Sequence, residues 1–443
     1  MPHCVVVDLG YGDAGKGTVV DWLCSRGGAE PVRAVVRFNG GAQAGHNVVT
    51  EDGRHHTFAQ FGSGTFTPGV RTHLSRFVLV DPLALAAEAA HLAAVGVPDA
   101  LDRLTVDAGA LLTTPYHAAA NRARELARGR ARHGSCGMGI GETARYALRH
   151  PADAPRAGDC LDLPRLMRKF VTLRDRLTAE VGPLGAPPAA DVGAACRWFA
   201  RRVRLTGAGY LARLLREGPV VFEGAQGVLL DEWHGFHPYT TWSTTTFGNA
   251  ATLLAEAGQT ARRIGVLRCY QTRHGPGPFV TGDPSLELPE GHNAYGTWQG
   301  GFRTGHLDAV ALRYALEVAG GADLLALTHL DVAARHPELR VGQGYRIDGE
   351  EVTRLPAGPP GDLAAQEELT GRLLRARPVY RDAGGDWVAA VEQVLGVPVG
   401  LVSSGPRAAD KRLLTPGLRP GRDAGSPGGR ARRSRPGYRP ARA

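Results

Sequence analysis

A glycine-rich segment near the start of the chain has the residue types of a phosphate-binding loop. Residues 10–17, with the sequence GYGDAGKG, fit the pattern G-x-x-x-x-G-K between an apolar run and a helical stretch. In such loops, backbone N–H groups and the N-terminus of the following helix bind an anionic phosphate. The residues that we expect to bind nucleotide phosphates are Gly12, Gly15, Lys16, Gly17 and Thr18.

Two features of this loop are unusual. The Ser or Thr that normally follows the lysine and binds magnesium is Gly17 here, and Thr18 comes one place later. Asp13 also places a negative charge inside a loop that should bind phosphate. A carboxylate is useful there if it binds Mg²⁺ or acts as a base. The alternative is a tight glycine turn that binds no ligand.

Further polar motifs follow this loop along the chain. They are Arg37–Gly41 with Ala44–His46, Phe222–Gly227 with Leu229–Asp231 and His237–Thr241, Thr272–Phe279, Thr328–Val332, and Ser403–Pro406. In this order, over about residues 4–407, they resemble the adenylosuccinate synthetase family. The resemblance implies a homodimer that joins L-aspartate to IMP with GTP and Mg²⁺. GTP first phosphorylates the 6-oxygen of the purine, and the amine then displaces phosphate.

The resemblance also implies roles for single residues. Asp13 would remove the N1 proton of the purine and bind Mg²⁺ together with the Gly41 carbonyl. Gln226 would donate a hydrogen bond to the developing 6-oxyanion, and Asp331 would accept two hydrogens from the guanine edge. The remaining assignments are Lys16 at the GTP phosphates, Ser404, Gly405 and Pro406 over the guanine ring, and Asn39, Ser135 and Thr241 at the 5′-phosphate of the second nucleotide. Taken alone, Gln226 and Asp331 could each be a capping residue.

The acid–base pair of the family is incomplete in this sequence. The family has a histidine, acting as general acid, directly after the paired glycines, where this chain has Ala42. Losing such a group typically lowers a rate about 10²–10⁴-fold. We therefore expect a substitute among His46, His56 and His274, and we favour His46. The acidic residue after the loop aspartate is also absent, since it is Ala14 here.

The substrate-binding loops differ from the family too. In the loop that grips the aspartate carboxylates, Gly300 and Phe302 stand where two arginines belong, which leaves Thr297 and Arg303 as the amine-donor residues. The nucleotide-phosphate loop, residues 134–142, has Ser135 but no arginine, and the arginine from the partner subunit corresponds only loosely to Arg149 or His150. The lysine of the guanine motif is His329.

The differences are concentrated in the half of the site that binds the second nucleotide and the amine. The GTP half, with Lys16, Asp331 and residues 404–406, is nearly intact. This bias favours a specialised enzyme over a decayed one. Our leading interpretation is GTP-dependent ligation of IMP and L-aspartate. The alternatives are a related ligase with another 6-oxopurine nucleotide or amine donor, and a GTP-binding regulatory protein without ligase activity.

Short apolar runs that end before polar loops must position these residues. The expected strands are residues 5–9, 34–38, 77–80, 220–222, 263–267, 324–327 and 400–402. The expected helices are residues 18–24, 82–94, 115–127 and 309–319, which are rich in alanine and leucine. Buried strands that alternate with helices predict an α/β fold of the P-loop NTPase type, with a doubly wound, mostly parallel sheet and helices on both faces. Ligands bind such sheets at the carboxyl ends of the strands.

Composition sets the domain organisation. Ten of the 52 Lys and Arg residues, but only one of the 43 acids, lie in residues 411–443, so this segment accounts for the whole net charge of +9. We expect residues 1–410 to form the ligase domain and residues 411–443 to form a disordered basic tail, with at most weak nucleic-acid contact. Six scattered cysteines without a C-x-x-C pair favour reduced thiols in the cytoplasm. No apolar run is long enough to span a membrane.

Overall fold

The computed structural model describes residues 2–26, 30–291, 293 and 295–414. The strands are β1 (Cys4–Asp8), β2 (Ala34–Arg37), β3 (His46–Val49), β4 (His55–Phe58), β5 (Arg71–Leu74), β6 (Leu79–Val80), β7 (Leu104–Asp107), β8 (Leu111–Leu112), β9 (Arg204–Thr206), β10 (Val220–Gly227), β11 (Arg262–Arg268), β12 (Tyr270–His274), β13 (Phe302–Asp308), β14 (Leu324–Thr328), β15 (Arg340–Ile347), β16 (Glu350–Val352), β17 (Arg377–Asp382), β18 (Val399–Ser403) and β19 (Lys411–Leu413).

Helices connect most of these strands. They are α1 (Lys16–Ser25), α2 (Pro82–Ala94), α3 (Pro115–Ala127), α4 (Ile140–Arg149), α5 (Leu163–Val181), α6 (Ala189–Arg202), α7 (Tyr210–Arg216), α8 (Gly248–Glu256), α9 (Ala309–Val318), α10 (Leu330–Arg335), α11 (Leu363–Arg375) and α12 (Trp387–Leu395). Their starts follow ordinary capping rules. α2, for example, begins with Pro82 because the Asp81 carboxylate accepts the Leu83 and Ala84 N–H groups. None of the helices in the described part is long and apolar enough to cross a membrane.

A ten-stranded sheet forms the centre of the molecule. Its strand order is β19-β18-β14-β11-β1-β10-β2-β5-β7-β9. Every neighbouring pair is parallel except β18 and β19, so nine parallel strands end in one antiparallel edge strand. The carboxyl ends of the parallel strands therefore meet at one edge of the sheet, where ligands bind in folds of this kind.

Both faces of this sheet are covered. Along β1, Val5 and Val7 belong to a large apolar core that includes residues of α8 and α9. Cys4 and Val6 point to the other face and pack in a smaller core with Val19 and other residues of α1. This alternation follows from the two-residue period of a strand. A doubly wound arrangement results, as the sequence predicted.

A second, smaller sheet lies beside the first. Its strands are β12, β13, β15, β16 and β17, which pair antiparallel except for β13 with β15. The sequence did not predict these strands, because their polar residues mask the alternation of a half-buried strand. β12 carries residues 270–274 and pairs with β13, residues 302–308, so this sheet joins the start of the 272–279 motif to the end of the expected amine-donor loop.

The predicted helices and most of the strands of the central sheet are present. The helices at 82–94 and 115–127 have the expected bounds, and α9 ends one residue early. The domain boundary expected before residue 411 needs correction, because Lys411–Leu413 form β19 and pair with β18. The rest of the expected tail, residues 415–443, lies outside the described residues. All six cysteines are free thiols.

Candidate active site

A cavity of about 1010 Å³ lies at the carboxyl ends of the central strands. Residues that directly follow, or end, five neighbouring strands of the sheet line it, namely β18, β14, β11, β1 and β10. The hairpin of β3 and β4, the N-terminus of α4 and the loop after β12 complete its wall. The sequence motifs that follow different strands therefore converge on one space.

The phosphate loop forms one wall of the cavity. Gly15, the last residue before α1, has φ 92° and allows the helix to start at Lys16. A side chain at Gly17 would meet the β-carbon of His46 at 2.8 Å, which explains why Ser or Thr is absent there. The Thr18 hydroxyl donates instead to the Pro406 carbonyl at 2.9 Å. Thr18 thus ties the phosphate loop to the loop after β18.

Three cavity residues have left-handed backbones although they are not glycine. They are Asp13, Gln226 and His329, with φ of 60°, 58° and 62°. In the described part of the chain only Asp348, in an exposed turn, shares this feature. Such conformations cost about 1–3 kcal/mol each and persist where the surroundings impose them, often at functional sites. The strained residues are therefore those that the sequence predicted as the base (Asp13), the oxyanion donor (Gln226) and part of the guanine motif (His329).

Asp13 contacts a histidine that also lines the cavity. Its Oδ2 lies 3.1 Å from Nε2 of His274, and this nitrogen also lies 3.2 Å from Oδ1 of Asn293. Burial opposes ionisation of Asp13, but the His274 hydrogen bond and the Arg268 charge lower its pKa. Arg268 also donates to the Asp13 carbonyl at 2.6 Å. Asp13 is therefore an oriented carboxylate, held from its side chain and from its backbone.

His274 is itself held in place. Its ring packs against Phe302 with the centroids 4.8 Å apart. Burial disfavours its charged form, but the hydrogen bond with Asp13 raises its pKa overall. The sequence named His274 only as one of three possible substitutes for the missing acid. In the structure it is the one of the three that contacts Asp13.

His46, the substitute that we favoured, contacts another carboxylate. Its Nδ1 lies 2.7 Å from Glu223, which also accepts the Ser63 N–H at 2.9 Å. Glu223 is fully buried, and burial lowers the pKa of His46 despite this partner. His46 lines the cavity, but its imidazole is occupied by Glu223 and not by Asp13. The expectation that His46 replaces the missing acid therefore has no geometric support.

Gln226 lines the cavity, and one of its side-chain polar atoms has no hydrogen-bond partner among the described residues. This atom, Oε1, is buried. Asn39, expected at a nucleotide phosphate, is not part of the cavity wall. Its amide donates to the Ala225 carbonyl at 3.0 Å and accepts the Ala225 N–H at 2.8 Å. Asn39 thus fixes the turn that presents Gln226.

The expected guanine residues come after β14 and β18. Asp331 is partly exposed and pairs with Arg335 at 2.9 Å. Gly405 and Pro406 line the wall, whereas Ser403 does so in place of Ser404. Lys411 of β19 donates to the carbonyls of Gly405 and Arg407 at 3.1 Å and 2.7 Å, and so holds this loop. The imidazole of His329 is neutral, because burial lowers its pKa well below the usual value.

Of the residues expected to bind the second nucleotide, only some line the cavity. Ser135 and Thr241 line the cavity. Near Ser135, Arg124 pairs with Glu142 at 2.9 Å and Arg145 with the same carboxylate at 3.2 Å. The sequence missed this group of paired charges. Arg149 lies at the end of α4, away from the cavity, with its side chain 59% exposed.

Arg303, the arginine of the amine-donor loop, does not line the cavity. Arg303 donates to the carbonyls of Gly275 and, at 3.2 Å, Gly277, and burial lowers its pKa to about 10. Neither Arg303 nor Thr297 belongs to the cavity wall. The arginine predicted to grip a carboxylate is instead used to hold the turn after His274.

The residues expected to bind magnesium fit only in part. Among the described residues, no group of three or more His, Cys, Asp or Glu side chains could hold a metal. Mg²⁺ needs few protein ligands when phosphates and water supply the others, and the ionised Asp13 in the cavity wall meets that need. The Gly41 carbonyl accepts the Ala44 N–H at 3.2 Å, and Gly41 is not part of the wall.

Most expected residues are thus brought together, and several new ones join them. The expected residues in the wall are Gly12, Asp13, Gly15, Lys16, Gly17, Thr18, His46, Ser135, Gln226, Thr241, Asp331, Gly405 and Pro406. The expected residues outside it are Asn39, Gly41, Arg149, Thr297, Arg303 and Ser404. The sequence missed Arg268, which contacts Asp13, and also Asn293 and Glu290, which contact His274 and Arg268, since only the tertiary fold brings these residues together.

Comparison with known proteins points to one family. The family model described as adenylosuccinate synthetase matches residues 5–411. The adenylosuccinate synthetase of Anaeromyxobacter sp. (strain Fw109-5) is 35% identical over 438 residues, which cover 94% of this chain and 99% of that protein. The one from Salinibacter ruber is 34% identical, with 92% of this chain and 97% of that protein covered.

Solved structures share the fold. A fully ligated adenylosuccinate synthetase from Plasmodium falciparum matches with a TM-score of 0.76 at 21% identity, over 94% of this chain and 100% of that one. The succinoaminodeoxyadenylate synthetase of cyanophage S-2L, bound to dGMP and to dATP as energy donor, matches with a TM-score of 0.56 at 20% identity, over 93% and 95% of the two chains. At these identities the likeness concerns the fold.

Proposed function

The chain belongs to the adenylosuccinate synthetase family, and we propose that its cavity phosphorylates the 6-oxygen of IMP with GTP and then joins C6 to the amine of L-aspartate. It is a GTP-dependent carbon–nitrogen ligase of purine nucleotide biosynthesis. The observation that carries the proposed chemistry is the oriented carboxylate of Asp13, in a strained phosphate loop and 3.1 Å from His274.

Asp13 acts as the base in this proposal. It takes the N1 proton of the purine, so that the electron pair moves to the 6-oxygen, which attacks the γ-phosphorus as GDP leaves. Proton removal by a positioned side chain typically accelerates a reaction about 10²–10⁴-fold. His274 orients the carboxylate through its Nε2–H bond, and Asn293 shares that hydrogen. The amine of aspartate then attacks C6 and displaces phosphate.

Other wall residues stabilise the charges that develop. The side-chain amide of Gln226 can donate to the 6-oxyanion without carrying a charge of its own. Its positive φ and its place in the cavity wall support this assignment. Lys16 and the loop N–H groups bind the GTP phosphates. Asp331, Gly405 and Pro406 bind the guanine.

Magnesium is part of the proposal through Asp13. When bound, Mg²⁺ would neutralise charge on the phosphates of GTP. Asp13 fits this role because it is an ionised carboxylate in the wall of the phosphate site. Gly41 would have to release its hydrogen bond with Ala44 to offer its carbonyl freely.

A cytoplasmic homodimer completes the proposal. Leu126, Leu148 and Leu161 are more than half exposed on or beside α3, α4 and α5. α3 contacts both α4 and α5 in the fold, and exposed apolar side chains on neighbouring helices favour a protein interface. Arg149, beside Leu148 and well exposed, is suitably placed to reach a partner subunit. Sedimentation of the purified protein tests the dimer.

The direct test combines purified protein with GTP, Mg²⁺ and IMP and analyses the products by mass spectrometry. With L-aspartate we expect adenylosuccinate, GDP and phosphate in equal amounts. Omission of IMP is the control for background hydrolysis of GTP. Tight binding of GTP without release of phosphate, for any nucleotide and amine, would leave a GTP-binding regulatory protein and exclude the ligase.

One observation favours a second candidate, a ligase with a different amine donor. Arg303 is bonded to backbone carbonyls, and Phe302 packs on His274, so the loop lacks the arginine fork that suits a dicarboxylate. The same assay, repeated with a panel of amino acids and amines, separates the two. A donor with a kcat/KM above that of L-aspartate would establish this candidate.

A further inference from the structure

A buried carboxylate lies behind the phosphate loop. Asp8 ends β1 and is 1% exposed. Its Oδ1 accepts the Gly10 N–H at 2.8 Å, and its Oδ2 accepts the Ala14 N–H at 2.8 Å and the Lys16 ammonium at 3.1 Å. One side chain thus holds both ends of the loop and also the lysine that the loop is built to present.

Asp8 and the nucleotide site lie on opposite sides of this loop. Lys16 lines the main cavity, whereas Asp8 borders a separate small void with Gly10, Gly12 and Ala14. The side chains of Lys16 and Asp8 are 3% and 0% exposed. The ammonium is therefore paired with an internal anion.

We propose that Asp8 is a positioning residue that competes with the nucleotide phosphates for Lys16 and thereby lowers the affinity for GTP. This inference rests on the proposed role of Lys16 in binding GTP phosphates. The Asp8 carboxylate, 3.1 Å from the Lys16 ammonium, offsets its positive charge, and a phosphate that approaches Lys16 must share or displace that contact. An interaction that is stronger in the free state than in the bound state opposes binding by the difference between them.

Replacing the charge reverses this effect. Asp8→Asn keeps an amide oxygen for the Gly10 N–H but removes the anion and the acceptor of the Ala14 N–H. Lys16 is then left buried without a counter-charge until phosphate arrives. We expect Asp8→Asn to bind GTP more tightly, by roughly tenfold, since losing one charge-assisted hydrogen bond in the free state alone has about this effect. The nucleotide-free protein should melt at a lower temperature, and GTP should raise its Tm more than it raises that of the wild type.

Calorimetric titration with GTP in the presence of EDTA measures the affinities of the wild type, Asp8→Asn, Lys16→Met and the double variant. In the Lys16→Met background, Asp8→Asn should no longer improve binding. Asp107→Asn is the matched control, because Asp107 ends β7 and accepts the Gly109 N–H at 2.7 Å, the same local contact far from Lys16. It should leave GTP affinity unchanged.

The outcomes separate this inference from the proposed function. Weaker or equal GTP binding by Asp8→Asn, together with a loss of binding in Lys16→Met, overturns the competition and leaves Asp8 as a scaffold of the loop. Unchanged GTP binding in Lys16→Met instead refutes the role of Lys16. If Asp8→Asn does not fold, Asp8→Ser retains a hydroxyl acceptor for the Gly10 N–H and is expected to change the affinity in the same direction.

Discussion

The chemistry of the cavity depends on a few side chains whose backbones are held under strain. Asp13 and Gln226 have positive φ without being glycine, and both face the space where the purine is proposed to bind. A strained backbone keeps a side chain in one orientation, because the surrounding hydrogen bonds and not local preference determine it. Catalysis should therefore be sensitive to replacement of Asp13 and of His274, the histidine that orients it.

Replacing the proposed base should stop turnover without removing the nucleotide. We expect Asp13→Asn to lower kcat by at least about 10²-fold, because an amide cannot accept the N1 proton. GTP affinity, titrated with EDTA present, should stay within a few-fold of the wild type. Asp348→Asn is the control, since Asp348 also has a positive φ, 51°, but is exposed in the turn after β15. Full activity of Asp13→Asn would refute its role as base.

Loss of the orienting histidine should affect kcat more than KM. We expect His274→Ala to lower kcat about 10-fold or more, since a misdirected base still binds substrates but abstracts the proton poorly. His274→Asn should recover part of this loss, because its side-chain amide can donate to Asp13.

His46 provides the comparison for His274. If His46 were the substitute acid, His46→Asn would lower kcat further than His274→Ala in folded protein. We expect the reverse, because His46 is bonded to Glu223 and not to Asp13. Equal rates for the wild type and His274→Ala would show that the contact with Asp13 has no role in turnover.

Among the secondary-structure elements, β19 supports the loop that is proposed to bind guanine. β19 pairs with β18, and Lys411 at its start donates to the Gly405 and Arg407 carbonyls. Thr18 of α1 also donates to the same loop, at the Pro406 carbonyl. The loop after β18 therefore depends on a strand beyond the boundary that composition suggested.

Two truncations test this dependence. A chain that ends at residue 414 keeps β19 and should bind GTP as the full chain does. A chain that ends at residue 410 loses Lys411 and the edge pairing, so its GTP affinity should fall at least several-fold and its Tm should drop. Titration with GTP and thermal melting of both truncated proteins provide the measurements. Equal affinity of the two would show that β19 does not support the loop after β18.

At the scale of the whole molecule, a buried acid in α1 makes stability depend on pH. Asp21 is 4% exposed, and burial raises its pKa to about 7. Its unfolded pKa is about 3.9, so folding favours the protonated form. Its stabilising contribution is complete below about pH 4 and is lost as the pH rises through 7.

We expect Asp21→Asn to remove the loss of stability that Asp21 causes as the pH rises. Because asparagine does not ionise, the Tm of the variant should exceed that of the wild type, by a margin that grows between about pH 4 and about pH 7 and then levels off. Melting curves across this range provide the measurement. Asp382→Asn, at an exposed end of β17, is the control and should show no such trend. A margin that shrinks with rising pH would contradict the shift.

Local sequence patterns were sufficient to predict the fold class, the phosphate loop and the family. Glycines before a lysine, apolar runs and alanine-rich helices act through neighbouring residues, and the helices at 82–94 and 115–127 have the predicted bounds. The contacts between distant side chains could not be predicted from these patterns. His274 reaches Asp13 from β12, 261 positions along the chain, and Arg303 turns to the Gly275 carbonyl. Such pairings arise because separate sheets pack together, and no local spacing encodes that packing.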